Sequence, residues 1–125
     1  MFIPNAIDHL VFRIANLAVT ARFYTALLGT PSHRTEDTLL YMAGSTRLFF
    51  TIADPPKFPY DKEQTGLNHI AFAIPTHEDL LTIQSQLNIA SITHSGIKLD
   101  QYGSKEFIWL DDPDGLRLEF YLRPA

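Results

Sequence analysis

The 125-residue chain has no cysteine, which removes disulfides, thiolate metal ligands and cysteine nucleophiles in one step. A reducing, cytoplasmic setting is the expectation that goes with this. No apolar run approaches the roughly 18 residues of a membrane span. The opening stretch "MFIPNAIDHL" has neither a basic start nor an apolar signal core. Basic residues are few, 10 Lys and Arg against 14 Asp and Glu, and none cluster; the net charge is −4. Phosphate neutralisation cannot then carry binding, so nucleic acid is a poor partner and a small molecule a better one.

What the chain does have is apolar and aromatic mass. Hydrophobic residues make up 46 % of it, with nine Phe, five Tyr and one Trp. That suits one compact domain, its rings lining a core or an apolar pocket.

The chain also repeats itself. Residues 7–14, "IDHLVFRI", align with 67–74, "LNHIAFAI", at an offset of 60, so that His9 falls on His69 and Phe12 on Phe72. Both segments alternate and read as strands. Leu10, Phe12 and Ile14 share one face, as do Ile70, Phe72 and Ile74; the histidines point to the other. A helix follows each strand. The first, "NLAVTARFYTALLG", has Asn16 as N-cap and Gly29 as a left-handed terminator. The second, "THEDLLTIQSQLN", has Thr76 as cap and Glu78 and Asp79 in its first turn. Strands are then expected at Ser32–Arg34, Leu39–Ala43 and Arg47–Ile52 in the first half. In the second half they are expected at Ile92–His94, Phe107–Leu110 and Leu116–Leu122. The last two form a hairpin around "DDPDG", where Pro113 and Gly115 supply the turn. "RLFF" at 47–50 repeats as "RLEF" at 117–120, offset 70, which sets Phe49 against Glu119. The two modules span about 5–53 and 66–123, joined by a Pro- and charge-rich linker over 54–65.

Symmetry-related βαβββ modules would turn His9 and His69 toward a shared concavity. Glu119, a carboxylate in "RLEFYL", needs a cation there, or an arginine such as Arg13, Arg47 or Arg117. Two imidazoles and one carboxylate with open positions form a facial triad suited to Fe(II). Mn(II) is favoured beside it, and Zn(II), Ni(II) or Co(II) could use the same donors. His33, His77 and His94 read as ordinary satisfied polar residues.

The segments "IDHLVFRIANLAVTARFYTALLG", "GLNHIAFAI" and "FIWLDDPDGLRLEF" resemble the vicinal oxygen chelate superfamily. That superfamily includes glyoxalase I, bleomycin resistance proteins, extradiol dioxygenases and fosfomycin-resistance thiol transferases. The resemblance covers nearly the whole chain. It implies an α+β fold in which two βαβββ modules form a half-open mixed-sheet barrel around a concave site. It implies metal ligands at His9, His69 and Glu119, and a homodimer in swapped or unswapped form. The fourth ligand of glyoxalase I is a carboxylate, and its place is taken by Phe49. Three ligands therefore look most like an extradiol-type dioxygenase. A fosfomycin-type thiol transferase and a bleomycin-resistance-like sequestering protein without catalysis are the alternatives. The fosfomycin enzymes' tyrosine before the DPDG turn is replaced by Trp109, and Tyr102 is the nearest catalytic side chain of extradiol type. Strand parity puts Val11, Arg13, Phe49, Ala71, Ala73, Phe107, Trp109, Arg117 and Tyr121 on the substrate-facing side.

Overall fold

The computed structural model describes residues 1–54 and 59–124. Contacts divide the chain into two compact units, Met1–Phe58 and Pro59–Ala125. Each is a βαβββ module with its own four-stranded mixed sheet, so the class is α+β as expected.

In the first unit β1 (His9–Ile14) leads to α1 (Leu17–Leu28), followed by β2 (His33–Arg34), β3 (Thr38–Ala43) and β4 (Thr46–Ile52). The sheet order is β1-β4-β3-β2, with β1 parallel to β4 and the other pairs antiparallel. The alternation in β1 decides which face is buried. Leu10, Phe12 and Ile14 align with Leu48, Phe50 and Ile52 of β4, and α1 packs over that side. Phe50 is fully buried, with Phe12 stacked on it at 4.7 Å and Tyr24 of α1 at 4.3 Å. Tyr41 meets it edge-on at 5.8 Å. The buried Tyr41 hydroxyl donates to the Ala21 carbonyl at 3.2 Å and shares a hydrogen with Thr25 Oγ1 at 2.8 Å, so its burial leaves no polar debt. At the helix start Asn16 Oδ1 accepts from Val19 N at 3.0 Å. Gly29 ends the helix at positive φ, but its ψ of −170° places it in the extended, glycine-favouring region and not in the left-handed helical one.

The second unit repeats the plan. β5 (His69–Ile74) leads to α2 (His77–Ile89), then β6 (Lys98–Leu99), β7 (Glu106–Asp111) and β8 (Arg117–Leu122), in the order β5-β8-β7-β6. Leu80 and Leu87 of α2 are buried, as are Ile108, Leu110, Leu118 and Phe120 of the sheet. Phe72 stacks on Phe120 at 5.5 Å, the counterpart of the Phe12–Phe50 pair. Thr76 caps α2 by accepting from Asp79 N at 3.1 Å. The turn at "DDPDG" is organised by Asp112, whose carboxylate accepts from the backbone of Asp114 and of Leu116, each at 2.9 Å. Gly115 has φ of 93°, the positive value that turn requires.

One expectation is corrected. Ile92–His94 is not a strand; the short edge strand is Lys98–Leu99. The reason lies at the end of α2, where Ser91 takes φ of 57°. Ser91 N donates to Asn88 O at 3.1 Å and Ile92 N to Leu87 O at 2.9 Å. This is the double cap that closes a helix through a left-handed residue, here a serine where glycine is usual. It takes Ile92 N–H for the helix. The linker expected over 54–65 falls partly beyond the described residues. Residues 55–58 lie outside the described residues, but 59–65 belongs to the second unit and is tied to it. Lys62 Nζ donates to Asp111 at 2.9 Å, and Tyr60 donates its hydroxyl hydrogen to the Leu67 carbonyl. Among the described residues no helix is long and apolar enough to cross a membrane.

Candidate functional site

The face of each sheet turned away from its helix carries the polar residues. In the second unit β8 runs between β5 and β7. Its alternation buries Leu118 and Phe120 beneath α2 and presents Arg117, Glu119 and Tyr121 on the opposite side. The register sets Glu119 between Ala71 and Trp109, Arg117 between His69 and Asp111, and Tyr121 between Ala73 and Phe107. Ala71 and Ala73 keep this face shallow. Phe107 stacks on Tyr121 at 5.2 Å.

Glu119 is only 7 % exposed, and a carboxylate so placed needs positive partners. Of the three arginines considered, Arg117 fills that role, with Nε 3.0 Å from Oε2. Its guanidinium rests 4.7 Å from the centre of the Trp109 ring, a cation–π contact. The buried Nε forms an ion pair and not a hydrogen bond, because the geometry fails. The other carboxylate oxygen, Oε1, faces His69 Nε2 at 3.7 Å. Two donors bound to one metal at about 2.0–2.2 Å lie about 3–3.5 Å apart. An imidazole nitrogen and a carboxylate oxygen at this spacing fit a divalent ion after a small closure.

The first unit carries the equivalent face. His9, Val11 and Arg13 of β1 align with Arg47, Phe49 and Thr51 of β4. Phe49 occupies the register position that Glu119 holds in the other sheet, pairing with Val11 as Glu119 pairs with Ala71. It offers a ring and no donor, and His9 stands edge-on to it at 5.8 Å. Arg13 Nη1 donates to Thr51 Oγ1 at 2.9 Å. Val11 remains 58 % exposed, so this face is open.

Three contributors were missed in the sequence, Asp8, Asn68 and Asp100, and Arg47 pairs with Asp8 instead of Glu119. Asp8 Oδ2 lies 2.7 Å from His9 Nδ1 and accepts from Arg47 Nη2 at 2.6 Å. Asn68 Oδ1 lies 2.7 Å from His69 Nδ1. The available signal was an Asp or Asn directly before each repeat-related His. Hydrogen bonding to His9, and then to Arg47, holds the Asp8 carboxyl below its ordinary value of 3.8. A group depressed in this way contributes in full above the ordinary value and loses that contribution as pH falls from there through the depressed one. A carbon-detected titration is expected to place the Asp8 midpoint below 3.8. In Arg47→Ala the midpoint should move back up; an unchanged midpoint would remove Arg47 from this account.

Asp100 anchors the loop 100–105. Its carboxylate accepts from Gly103 N at 2.8 Å and from the Tyr121 hydroxyl. That hydrogen bond pushes the Tyr121 phenol up from 10.0 to about 12. The protonated phenol is thus favoured in the folded chain. Its contribution is whole below the ordinary value and is lost as pH rises through about 12. Asp100→Asn should return the Tyr121 alkaline transition, read by ultraviolet absorbance, toward 10.0. Tyr102, on the same loop, is 89 % exposed.

The remaining histidines are satisfied as expected. His94 is bonded to Asn88 at 2.7 Å and to Gly96 N at 2.9 Å, and His77 to Glu106 at 2.9 Å. His33 is exposed on β2. Among the described residues no group of three or more His, Cys, Asp or Glu side chains is gathered closely enough to hold a metal ion. The second unit supplies the pair His69 and Glu119, and His9 stands on the face of the first unit.

The sequence model of the glyoxalase/bleomycin resistance protein/dioxygenase superfamily matches residues 6–120. Two curated relatives, both uncharacterized, are YaeR of Escherichia coli K12 at 35 % identity and YwkD of Bacillus subtilis 168 at 32 %. Each match covers 72 residues, 58 % of this chain, and spans about half, 54 %, of the relative's length. Among solved structures, a glyoxalase family protein from Enterococcus faecalis is similar at 29 % identity, with a TM-score of 0.72 over 94 % of this chain and 97 % of that one. A glyoxylase/bleomycin resistance protein/dioxygenase domain from Frankia sp. EAN1pec shares the fold at 19 % identity, with a TM-score of 0.77 over 95 % and 98 % of the two chains. With a family match over nearly its whole length and both modules folded to the family's plan, the chain belongs to the glyoxalase/bleomycin resistance protein/dioxygenase superfamily.

Proposed function

We propose that the chain is a divalent-metal-dependent enzyme acting on a small substrate that chelates through neighbouring oxygens. His69 and Glu119 supply two ligands and His9, the repeat counterpart of His69, supplies the third. The observation that carries this reading is Glu119 itself, a buried carboxylate whose free oxygen faces His69 Nε2 at 3.7 Å. Fe(II) or Mn(II) is the favoured ion, and when bound it would act as a Lewis acid toward the substrate oxygens.

The chain's own residues do the rest. Arg117 offsets the Glu119 charge while the donors are unliganded. Trp109 and Phe107 give the β7 side of the face an apolar wall suited to a ring or acyl group. Arg13 offers an anionic substrate the guanidinium donors that Thr51 does not use. Phe49 in place of a fourth ligand supports a three-ligand, dioxygenase-type centre over a glyoxalase I centre.

Purification without chelators, elemental analysis and reconstitution with Fe(II) or Mn(II) test this directly. The expected result is near-stoichiometric metal, lost in His69→Ala, together with metal-dependent oxygen uptake on catechol-type substrates. A protein that takes up no metal under any reconstitution would sink the reading. Aromatic-ligand binding indifferent to chelators and to His9→Ala would establish a sequestering module instead. The homodimer belongs to the same proposal, and light scattering in solution checks it.

A further inference from the structure

The amide of Asn68 has only one consistent orientation. Its Nδ2 faces two acceptors, the Lys62 carbonyl at 3.0 Å and Glu63 Oε1 at 3.3 Å. Neither can donate, so the nitrogen belongs there and the amide oxygen belongs on the other side. That oxygen lies 2.7 Å from His69 Nδ1. Because an amide oxygen only accepts, Nδ1 carries the hydrogen. A neutral imidazole has one N–H, which leaves Nε2 with a bare lone pair. Nε2 is also the atom that faces Glu119 at 3.7 Å.

We infer that Asn68 is a positioning residue. It holds His69 in the Nδ1–H tautomer and so presents Nε2 as the donor atom, a role that rests on the metal reading above.

The support for Asn68 reaches further back along the chain. Lys62 is tied through Nζ to Asp111 at the end of β7, at 2.9 Å, and Glu63 N donates to Asp61 Oδ1 at 2.9 Å. The segment ahead of β5 is therefore the outer part of the site's scaffold. The first unit supports the same conclusion by different chemistry. Asp8 stands where Asn68 stands in the repeat and puts Oδ2, another atom that only accepts, 2.7 Å from His9 Nδ1. Both modules thus turn Nδ1 toward an acceptor and free Nε2. Outer partners of this kind fix the ring orientation of ligating histidines in metal sites generally. The difference between the modules is the source of support. Asp8 is held by a charged side chain, Arg47, whereas Asn68 is held by a backbone carbonyl and a carboxylate.

The test uses the metal-free, isotope-labelled full chain at a pH where the imidazole is neutral. Long-range nitrogen–proton spectra then report which ring nitrogen is protonated. The expected result is Nδ1–H for His69, the reverse of the form that free neutral histidine prefers. In Asn68→Ala the signal should move toward Nε2–H, and Mn(II) affinity, followed by loss of the free-ion magnetic resonance signal, should fall about 10–100-fold. Asn68→Asp gives up the bonds to Lys62 and Glu63 but keeps an acceptor for Nδ1; it should keep the Nδ1–H form, which separates loss of that acceptor from a general folding defect. An Nε2–H signal in the wild type, or an unchanged tautomer in Asn68→Ala, overturns the inference. A wild type in the Nδ1–H form that takes up no Mn(II) overturns the metal reading and leaves the tautomer assignment standing.

Discussion

Glu119→Gln is expected to lower divalent-metal affinity by about 100-fold or more, beyond the 10–100-fold typical of losing an outer-shell partner. The substitution keeps the shape and removes the charge. It also adds a donor that can face the bare Nε2 of His69, 3.7 Å from the present carboxylate oxygen. The amide would then engage the second ligand as well as weaken the first. Arg117 loses its ion pair at the same time. Removing one partner of a fully buried pair costs about 3–5 kcal/mol. Arg117 keeps 29 % side-chain exposure and its Trp109 contact, so the loss here should be smaller, about 1–2 kcal/mol. Metal titration and denaturant unfolding of the same preparation separate the two effects. Wild-type affinity in a folded Glu119→Gln protein would remove Glu119 from the ligand set.

Phe50→Ala should be the most destabilising single change in the first module, at about 3–5 kcal/mol. Phe50 is fully buried, and three rings meet it, those of Tyr24, Phe12 and Tyr41, with centroids at 4.3, 4.7 and 5.8 Å. Truncation leaves a cavity walled by side chains that are themselves held. Tyr41 is pinned by its bonds to Ala21 and Thr25 and cannot swing in to fill it. A typical domain has only about 5–15 kcal/mol to lose. Native-state hydrogen exchange should show β1, β3 and β4 amides losing protection most. Phe120→Ala is the control in the second module, where one stacked ring, Phe72, meets the phenylalanine at 5.5 Å. It should cost less, and equal losses would contradict the ring-cluster account.

The strands that carry His9 and His69 could be read from the sequence because alternation and repetition reinforced each other. The pairing of Phe49 with Val11 and of Glu119 with Ala71 follows the same alignment. What escaped were features with no period. Asp8 and Asn68 are single short polar residues before a strand, and only the placed imidazole shows what they do. Arg117 was one of three arginines that could have met Glu119, and the choice depends on a rotamer lying over Trp109. Ile92–His94 looked like a strand because Ile and Thr favour that state, but a serine at positive φ capped the helix in a role normally assigned to glycine. The segment 59–65 looked like an unstructured linker because proline and charge suggest one. Its hydrogen bonds run to residues that composition does not reveal.

The parallel pairing of β5 with β8 has a kinetic meaning. His69 lies on the first strand of its module and Glu119 on the last, and the two strands meet only after α2, β6 and β7 have been made. Such non-local ladders close late, since the entropy of a long loop must be overcome before any contact offsets it. During synthesis the imidazole therefore emerges well ahead of its carboxylate. The two side chains meet only when β8 docks, so the metal site proposed on them would form only after that strand has been made.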